Sequence, residues 1–122
     1  MSNPAKAKGT RWETAVQRFL EEAGIFAYKP RQAGRDDIGD VHAPPFVIQA
    51  KDYRDILAGL REGVEGVRVQ RIHAKMPFGV AVVKRARKPV ADAYVVLRLG
   101  DFPDLVRAVQ AGVAAYEQDT ED

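Results

Sequence analysis

Three side chains that could act together lie within twelve residues of the sequence. Asp40 precedes a short apolar segment, and Gln49 and Lys51 follow it in the next one. Because side chains alternate along a strand, Gln49 and Lys51 share one face. Proline is favoured in turns and disfavoured inside sheets, so the segments on either side of Pro44–Pro45 are expected to pair as a hairpin. The pattern therefore predicts a carboxylate, an amide oxygen and an ammonium group together at the rim of a sheet.

This set of groups suits the hydrolysis of a phosphodiester. Oxygen ligands hold Mg²⁺, which keeps several waters and polarises a phosphate. A neighbouring lysine can orient or deprotonate the attacking water and offset the developing charge. Each residue alone has an ordinary structural explanation, since a lysine at a strand end usually reaches to solvent and an aspartate before a strand is often a turn former. The spacing of Asp40, Gln49 and Lys51 taken together is what favours a catalytic role.

The elements that must position these groups follow from the hydrophobic periodicity. Helices are predicted from a candidate N-cap at Thr10 to a stop at Gly24, over 54–73, and over Leu105–Tyr116. Strands are predicted over 25–28, 41–43, 46–51, 78–84 and 93–99. The order αβββαββα indicates one α/β domain, residues 10–116, with a central mixed sheet of about five strands flanked by helices. We expect residues 1–9 to form a flexible basic arm and residues 117–122 a frayed acidic tail.

Composition excludes several classes of protein and site. The chain has no cysteine, so disulfides, thiolate zinc sites and cysteine nucleophiles are ruled out. It has only two histidines, so a metal ion would be held mainly by oxygen. No apolar run approaches the roughly 20 residues that span a bilayer, and the N-terminal residues lack the apolar core of a signal peptide. We therefore expect a soluble cytoplasmic protein without a membrane partner.

Basic residues are concentrated in two parts of the chain. Residues 61–88 hold eight Lys or Arg against two acids, and residues 1–35 hold seven against three. Such runs are usually solvated faces, but they also suit a phosphate-binding surface. No base-reading module is evident, so contacts to the DNA backbone are favoured over base readout. The candidate contacts are Lys6, Lys8, Arg11, Arg31, Arg35, Lys84, Arg85, Arg87 and Lys88.

Glu13 has two explanations that the sequence leaves open. The segment from Thr10 to Glu13 matches a capping box, in which the glutamate bonds back to the N-cap amide. On a helical wheel Glu13 also borders the apolar stripe, so it could face the edge of the sheet. Of the other acids, Asp36 and Asp37 are further candidates, and Asp37 is an alternative to Asp40, which is preferred because it abuts Val41. His42 points away from Asp40 by strand alternation and is expected to be structural.

These motifs resemble the PD-(D/E)xK nuclease superfamily, which has the restriction-endonuclease-like fold. Asp40 is similar to the superfamily's aspartate, Gln49-Ala50-Lys51 to its (D/E)xK strand, and Glu13 to the acidic residue of its first helix. The opening from Lys8 to Glu13 resembles the K-G-x-x-x-E helix of archaeal and phage Holliday junction resolvases. The segment from Gly34 to Asp40 resembles the GRxDxGD-like loop of the phage versions. A QxK motif also occurs in methyl-directed restriction endonucleases. The resemblance covers about residues 8–84.

The resemblance implies the chemistry of the site. It implies a restriction-endonuclease-like domain whose Mg²⁺, replaceable by Mn²⁺, is bound by Asp40, Gln49, Glu13 and the backbone carbonyl of Ala50, with Asp37 as a further candidate ligand. Lys51 would assist the attacking water. A carboxylate normally stands at position 49, so we expect the glutamine to weaken metal binding rather than to abolish it.

The resemblance also implies a substrate and a partner. It favours a Holliday junction resolvase that cuts four-way junctions as a homodimer during DNA recombination and repair in a bacterial or phage-infected cell. The apolar surfaces of the second and last helices, with Val106, Val109 and Val113, are candidates for the dimer interface or for the core. The alternatives are a restriction- or repair-type nuclease that acts on duplex DNA, and a catalytically decayed DNA-binding module.

Overall fold

A four-stranded mixed sheet organises the computed structural model, which describes residues 3–31, 34 and 36–121, with side chains as far as Ala115. The strands are β1 (Val41–Ala43), β2 (Phe46–Lys51), β3 (Phe78–Val83) and β4 (Tyr94–Val96), and they lie in that order across the sheet. β2 and β3 are parallel, and the two outer pairs are antiparallel. The expected α/β class is confirmed with four strands.

The helices that cover the sheet are α1 (Pro4–Glu22) and α2 (Ile56–His73), and α3 (Phe102–Glu121) ends the described chain. Single 3₁₀ turns, η1 (Val90–Asp92) and η2 (Leu99–Asp101), precede and follow β4. Trp12 and Val16 of α1 are buried against one sheet face, where the Trp12 indole N–H donates to the carbonyl of Val82 at 3.2 Å. Among the described helices, none combines the length and the apolar character needed to cross a bilayer.

α2 lies close against the opposite face of the sheet. A Cβ atom added at Gly63 would lie 2.8 Å from the Cβ of Ala81, so a larger residue there would force the helix away from the sheet. The side chain of Asp55 caps α2 by accepting from the backbone N–H of Leu57 at 3.0 Å. The β2–α2–β3 unit is therefore a closely packed parallel crossover, and it holds the end of β2 firmly in place.

The prediction that the first helix begins at Thr10 is wrong. α1 begins at Pro4, and the side chain of Asn3 accepts from the Ala5 N–H at 3.0 Å, which is the usual Asn cap followed by proline. The hydroxyl of Thr10 instead donates to the Lys6 carbonyl at 3.1 Å, inside the helix. Residues 4–9 thus belong to α1 rather than to a flexible arm, and the capping-box explanation for Glu13 is wrong.

The predicted strand over 25–28 is reduced to a single bridge between Tyr28 and His42. Pro30 has no N–H to donate, so a ladder could not continue beyond the bridge. The strand predicted over 93–99 is also shorter, since β4 covers only Tyr94–Val96 and η2 follows from Leu99. The last helix begins three residues before the predicted Leu105, and its backbone remains helical to Glu121.

Candidate active site

The hairpin of β1 and β2 brings Asp40 beside the QxK segment, as the sequence predicts. Val41 pairs with Ile48, and the Asp40 N–H donates to the Ile48 carbonyl at 3.0 Å. One carboxylate oxygen of Asp40, Oδ2, accepts from the backbone N–H of Ala50 at 2.9 Å. The aspartate is thus fixed by both its backbone and its side chain against the strand that carries Gln49.

The predicted catalytic residues meet in one open cleft of about 730 Å³. α1 contributes Glu13, the loop before β1 contributes Asp40, and the end of β2 contributes the remaining residues. The N-terminal turns of α1, expected to be flexible, form one wall. The lining residues are Ala5, Lys6, Lys8, Gly9, Thr10, Glu13, Asp40, Gln49, Ala50, Lys51, Asp52, Tyr53, Arg54 and Asp55.

The carboxyl of Asp40 has a raised pKa in this cleft. Burial raises the pKa of its carboxyl from 3.8 to about 6, against the opposing effect of the hydrogen bond from Ala50. The negative charges of Glu13 and Asp37 raise this pKa further, and the ammonium of Lys51 lowers it. A buried carboxylate beside a second carboxylate is electrostatically unfavourable unless a proton or a metal cation neutralises it.

The side chain of Gln49 is buried and joins Asp40 to Lys51. We assign its amide with the oxygen 3.1 Å from Lys51 Nζ and the nitrogen 3.2 Å from Asp40 Oδ2, because the opposite orientation faces like groups. The same nitrogen donates to Oε1 of Gln70 at 2.8 Å. The glutamine at this position therefore fits a hydrogen-bond chain, and its oxygen points toward the lysine.

Gln70 extends that chain, and it is absent from the site residues predicted from the sequence. It lies on α2, it is only 2% exposed, and its Nε2 donates to Asp37 Oδ2 at 2.7 Å. The sequence does carry a signal for this residue. Gln70 follows Gly63 and Val67 on the buried face of α2, and a buried polar side chain there needs hydrogen-bond partners. Gln70 holds the Gln49 amide in one orientation and thereby aims its oxygen at Lys51.

Asp37, the further candidate ligand, lies outside the residues that line the cleft. Its Oδ1 accepts from the Gly39 N–H at 3.0 Å, and its Oδ2 accepts from Gln70. Gly39 has a φ of +94°, and a Cβ added there would clash with Val47, so this turn requires glycine. Asp37 thus shapes the loop before Asp40 and acts on the cleft through Gln70 and through its charge.

Lys51 is half-buried and lines the cleft. Its Nζ donates to the hydroxyl of Tyr53 at 3.3 Å and lies 5.1 Å from the centre of that ring. With the Gln49 oxygen on its other side, the ammonium is held between two oxygen atoms rather than free in solvent. Such an ammonium is positioned to bind an anion or a water in the cleft.

A second, basic cleft of about 590 Å³ adjoins the first, since Lys8 and Asp52 line both. The carboxylate of Asp52 lies 3.5 Å from the Nζ of Lys8 and 3.6 Å from that of Lys84. The Lys84 ammonium also lies 5.7 Å from the centre of the Trp12 indole ring. The charged residues of this cleft are Lys8, Arg11, Asp52, Lys84 and Lys88, so cations outnumber carboxylates four to one among them.

The remaining predicted DNA contacts are distributed more widely. Lys6 lines the cleft that contains Glu13 and Asp40, and Arg31 and Arg87 are exposed. The guanidinium of Arg85 stacks on Tyr94 at 4.9 Å from the ring centre. Arg35 lies outside the described residues. The structure therefore gathers Lys8, Arg11, Lys84 and Lys88 into one cleft, and of the other described candidates Lys6, Arg31, Arg85 and Arg87 do not line it.

The two histidines are bonded within the fold. His42 is 4% exposed, and its Nε2 lies 2.6 Å from the carbonyl oxygen of Ile38, which confirms the structural role expected for it. The Nδ1 of His73 lies 3.1 Å from the carbonyl oxygen of Asp37. Neither histidine lines the cleft that contains Glu13 and Asp40.

The donor set of the cleft fits a hard divalent cation. In the part of the chain that the structure describes, no three His, Cys, Asp or Glu side chains are grouped as a metal site. Four carboxylates line the cleft, but Asp52 pairs with Lys8 and Lys84 and Asp55 caps α2, which leaves Glu13 and Asp40 for a cation. The amide oxygen of Gln49, which also faces Lys51, and Ala50 line the same cleft. All these donors are oxygens, and a cation would relieve the unfavourable burial of Asp40.

Known proteins add nothing to this geometry. Comparison with protein-family models, with curated proteins and with solved structures found no match. The function has therefore to be inferred from the residues of the two clefts.

Proposed function

We propose that this protein is a Mg²⁺-dependent DNA endonuclease of the PD-(D/E)xK type that cuts four-way DNA junctions. The observation that carries the proposal is the convergence of Glu13, Asp40, Gln49 and Lys51 in one cleft, although they come from a helix, a loop and a strand. A chance D…QxK spacing would not require Glu13, from a separate helix, to line the same cleft.

The residues of the cleft have different roles in the proposed reaction. Asp40 and Glu13, with the Gln49 amide oxygen and the Ala50 carbonyl, would hold the metal ion, which when bound polarises the phosphate and acidifies a water. Lys51 holds the attacking water in place and stabilises the negative charge that develops on the phosphate oxygens. Gln70 and Tyr53 position the groups that do this, since each bonds a side chain of the cleft.

DNA is the proposed substrate because the catalytic cleft continues into the basic one. Lys8 belongs to both, so a phosphate backbone that passes the basic cleft would be led to the catalytic groups. Backbone contacts of this kind recognise shape rather than sequence. A junction presents two equivalent strands, and we propose that a homodimer places one cleft at each of them.

A DNA-binding module that does not hydrolyse its ligand is the second candidate. The observation that favours it is the amide at position 49, which leaves Glu13 and Asp40 as the only carboxylates among the proposed metal ligands that line the cleft. Intact Asp40, Lys51 and Glu13 favour the enzyme.

The deciding experiment is cleavage of a labelled four-way junction beside a linear duplex of the same sequence, in Mg²⁺, in Mn²⁺ and in EDTA. Paired symmetric nicks in the junction, dependent on metal, are the expected result. Equal cutting of both substrates would indicate a nuclease for duplex DNA. Tight junction binding without cleavage in either metal would establish the binding module instead.

Restoring the carboxylate with Gln49→Glu is expected to lower the Mg²⁺ concentration needed for half-maximal cleavage by about tenfold, because one more negative charge then faces the ion. A Mg²⁺ titration of the cleavage rate measures it. Gln49→Leu, which removes the amide oxygen at similar volume, should raise the requirement. An unchanged requirement in both variants would show that position 49 does not contact the metal.

Replacing Lys84 and Lys88 together by alanine is expected to weaken junction binding and to reduce the slope of log affinity against log salt by about two, because each lysine would neutralise one phosphate. Fluorescence anisotropy at several salt concentrations measures the slope. Arg61→Ala is the matched control, because Arg61 is exposed on α2 and lines neither cleft. Equal salt slopes for all the proteins would show that the basic cleft does not contact the DNA backbone.

A further inference from the structure

An apolar groove lies on the sheet face that carries α1. Its volume is about 510 Å³, and every described residue that lines it is apolar. The floor includes Ile48 and Val80, and the rims include Phe19 of α1 and Val95 of β4. Phe19 is 43% exposed and Val95 is 64% exposed, so α1 leaves much of this face uncovered. An open apolar surface of this kind marks an interaction site in a soluble protein.

α3 starts at this groove and leaves it. Leu105, in the first turns of the helix, is one of the groove residues, whereas all residues from Arg107 to Ala115 are exposed. η2 ends at Asp101 and α3 begins at Phe102, so no linker separates them. α3 therefore continues directly from η2, and the residues from Arg107 to Ala115 do not cover the groove of their own chain.

The exposed part of α3 has the composition of a buried helix. The segment from Ala108 to Ala115 contains no charged residue on any face, and Gln110 is its one polar side chain. Val109 is 56% exposed and Val113 is 50% exposed, and with Val106 they form a ridge at helical spacing. Surfaces without charge are typical of the centres of interfaces between subunits.

We infer that α3 of one copy of the chain lies in the apolar groove of a second copy, and that the exchange is reciprocal. Each copy carries one uncharged helix and one apolar groove, and both lie outside the two clefts except for the shared rim residue Val90. A two-fold arrangement uses both surfaces of both copies and closes the assembly at a dimer. The inference supplies an interface for the homodimer of the proposed function, but it rests on the groove and on α3 and not on nuclease activity.

The first test is the mass of the full chain by sedimentation equilibrium. The protein is expected near twice its 13.5 kDa at micromolar concentration. Val109→Asp and Val113→Asp should each weaken dimerisation at least about tenfold. Leu57→Asp is the control, because Leu57 is 68% exposed on α2, away from the groove, and the dimer should survive it. A monomeric wild type, or α3 variants that remain dimeric, would overturn the inference.

The second test separates helix-in-groove docking from pairing of two α3 helices. The chain lacks cysteine, so single cysteines can be introduced without background. Val109→Cys protein mixed with Val95→Cys or Phe19→Cys protein, and treated with a short bismaleimide, should give cross-linked heterodimers. Efficient cross-linking of Val109→Cys to itself, or no cross-linking in either mixture, would overturn the proposed docking. Because neither test uses cleavage, failure here and failure of the nuclease proposal remain distinguishable.

Discussion

Asp40→Asn is expected to lower the rate of Mg²⁺-dependent junction cleavage by about 100-fold or more, with little change in junction binding. Asparagine can still accept the Ala50 N–H through its side-chain oxygen, so the hairpin should remain as it is. What the variant loses is the negative charge that would hold the metal. Single-turnover cleavage at saturating protein, beside binding in Ca²⁺ or EDTA, measures the two effects separately.

The same variant should be more stable than the wild type at neutral pH in EDTA. Burial raises the pKa of Asp40 from 3.8 to about 6, so the folded protein binds this proton more tightly than the unfolded chain does. The contribution of Asp40 to stability is therefore greatest below about pH 4 and falls as the pH rises through 6. Ionisation of Asp40 therefore lowers the free energy of unfolding by about 3 kcal/mol at pH 7.

Urea unfolding of the two proteins at several pH values measures this difference. The extra stability of Asp40→Asn should appear at pH 7 and vanish near pH 4, and saturating Mg²⁺ should stabilise only the wild type. Asp92→Asn, at an exposed aspartate of η1, is the control and should change neither property. An Asp40→Asn protein that cleaves at the wild-type rate would contradict the assigned site.

Lys51→Met is expected to lower the cleavage rate by about 100-fold at saturating protein, because it keeps most of the side-chain volume but removes the ammonium group beside Gln49 and Tyr53. Junction affinity should change only slightly, since Lys8, Arg11, Lys84 and Lys88 remain in the basic cleft. The measurement is the single-turnover rate as a function of protein concentration.

Lys88→Met is expected to have the opposite effects on junction binding and on the cleavage rate. Lys88 lines the basic cleft and not the catalytic one, so its replacement should weaken binding but leave the rate at saturation near that of the wild type. If Lys51→Met behaved in the same way as Lys88→Met, Lys51 would be another phosphate-binding residue and would have no part in the chemical step.

The half of the site that lies in the β1–β2 hairpin could be predicted from the sequence because its contacts are local. Strand alternation places Gln49 and Lys51 on one face, and Pro44–Pro45 marks the turn that returns the chain to Asp40. Asp40 and Ala50, the partner of its carboxylate, are only ten positions apart in the sequence. A period-two pattern and a turn are sufficient to specify such a contact.

Contacts between distant segments could not be predicted in this way. Gln70 and Asp37 are 33 residues apart, and their hydrogen bond depends on how α2 crosses the sheet. The start of α1 could not be placed correctly for a different reason. Its first turns carry no apolar face, and the sequence from Thr10 to Glu13 matches a capping box although the N-cap is Asn3. The likeness to a capping box thus conceals the inward position of Glu13.

The unequal lengths of β1 and β2 have a consequence for the solubility of the protein. β1 ends its pairing at Val41 opposite Ile48, so the last part of β2 would present an open edge to other chains. The carboxylate of Asp40 occupies the Ala50 N–H at this point and adds a charge to the edge. Removal of that side chain altogether, as in Asp40→Ala, would expose an unpaired amide and favour strand-to-strand aggregation, whereas asparagine would keep the edge closed.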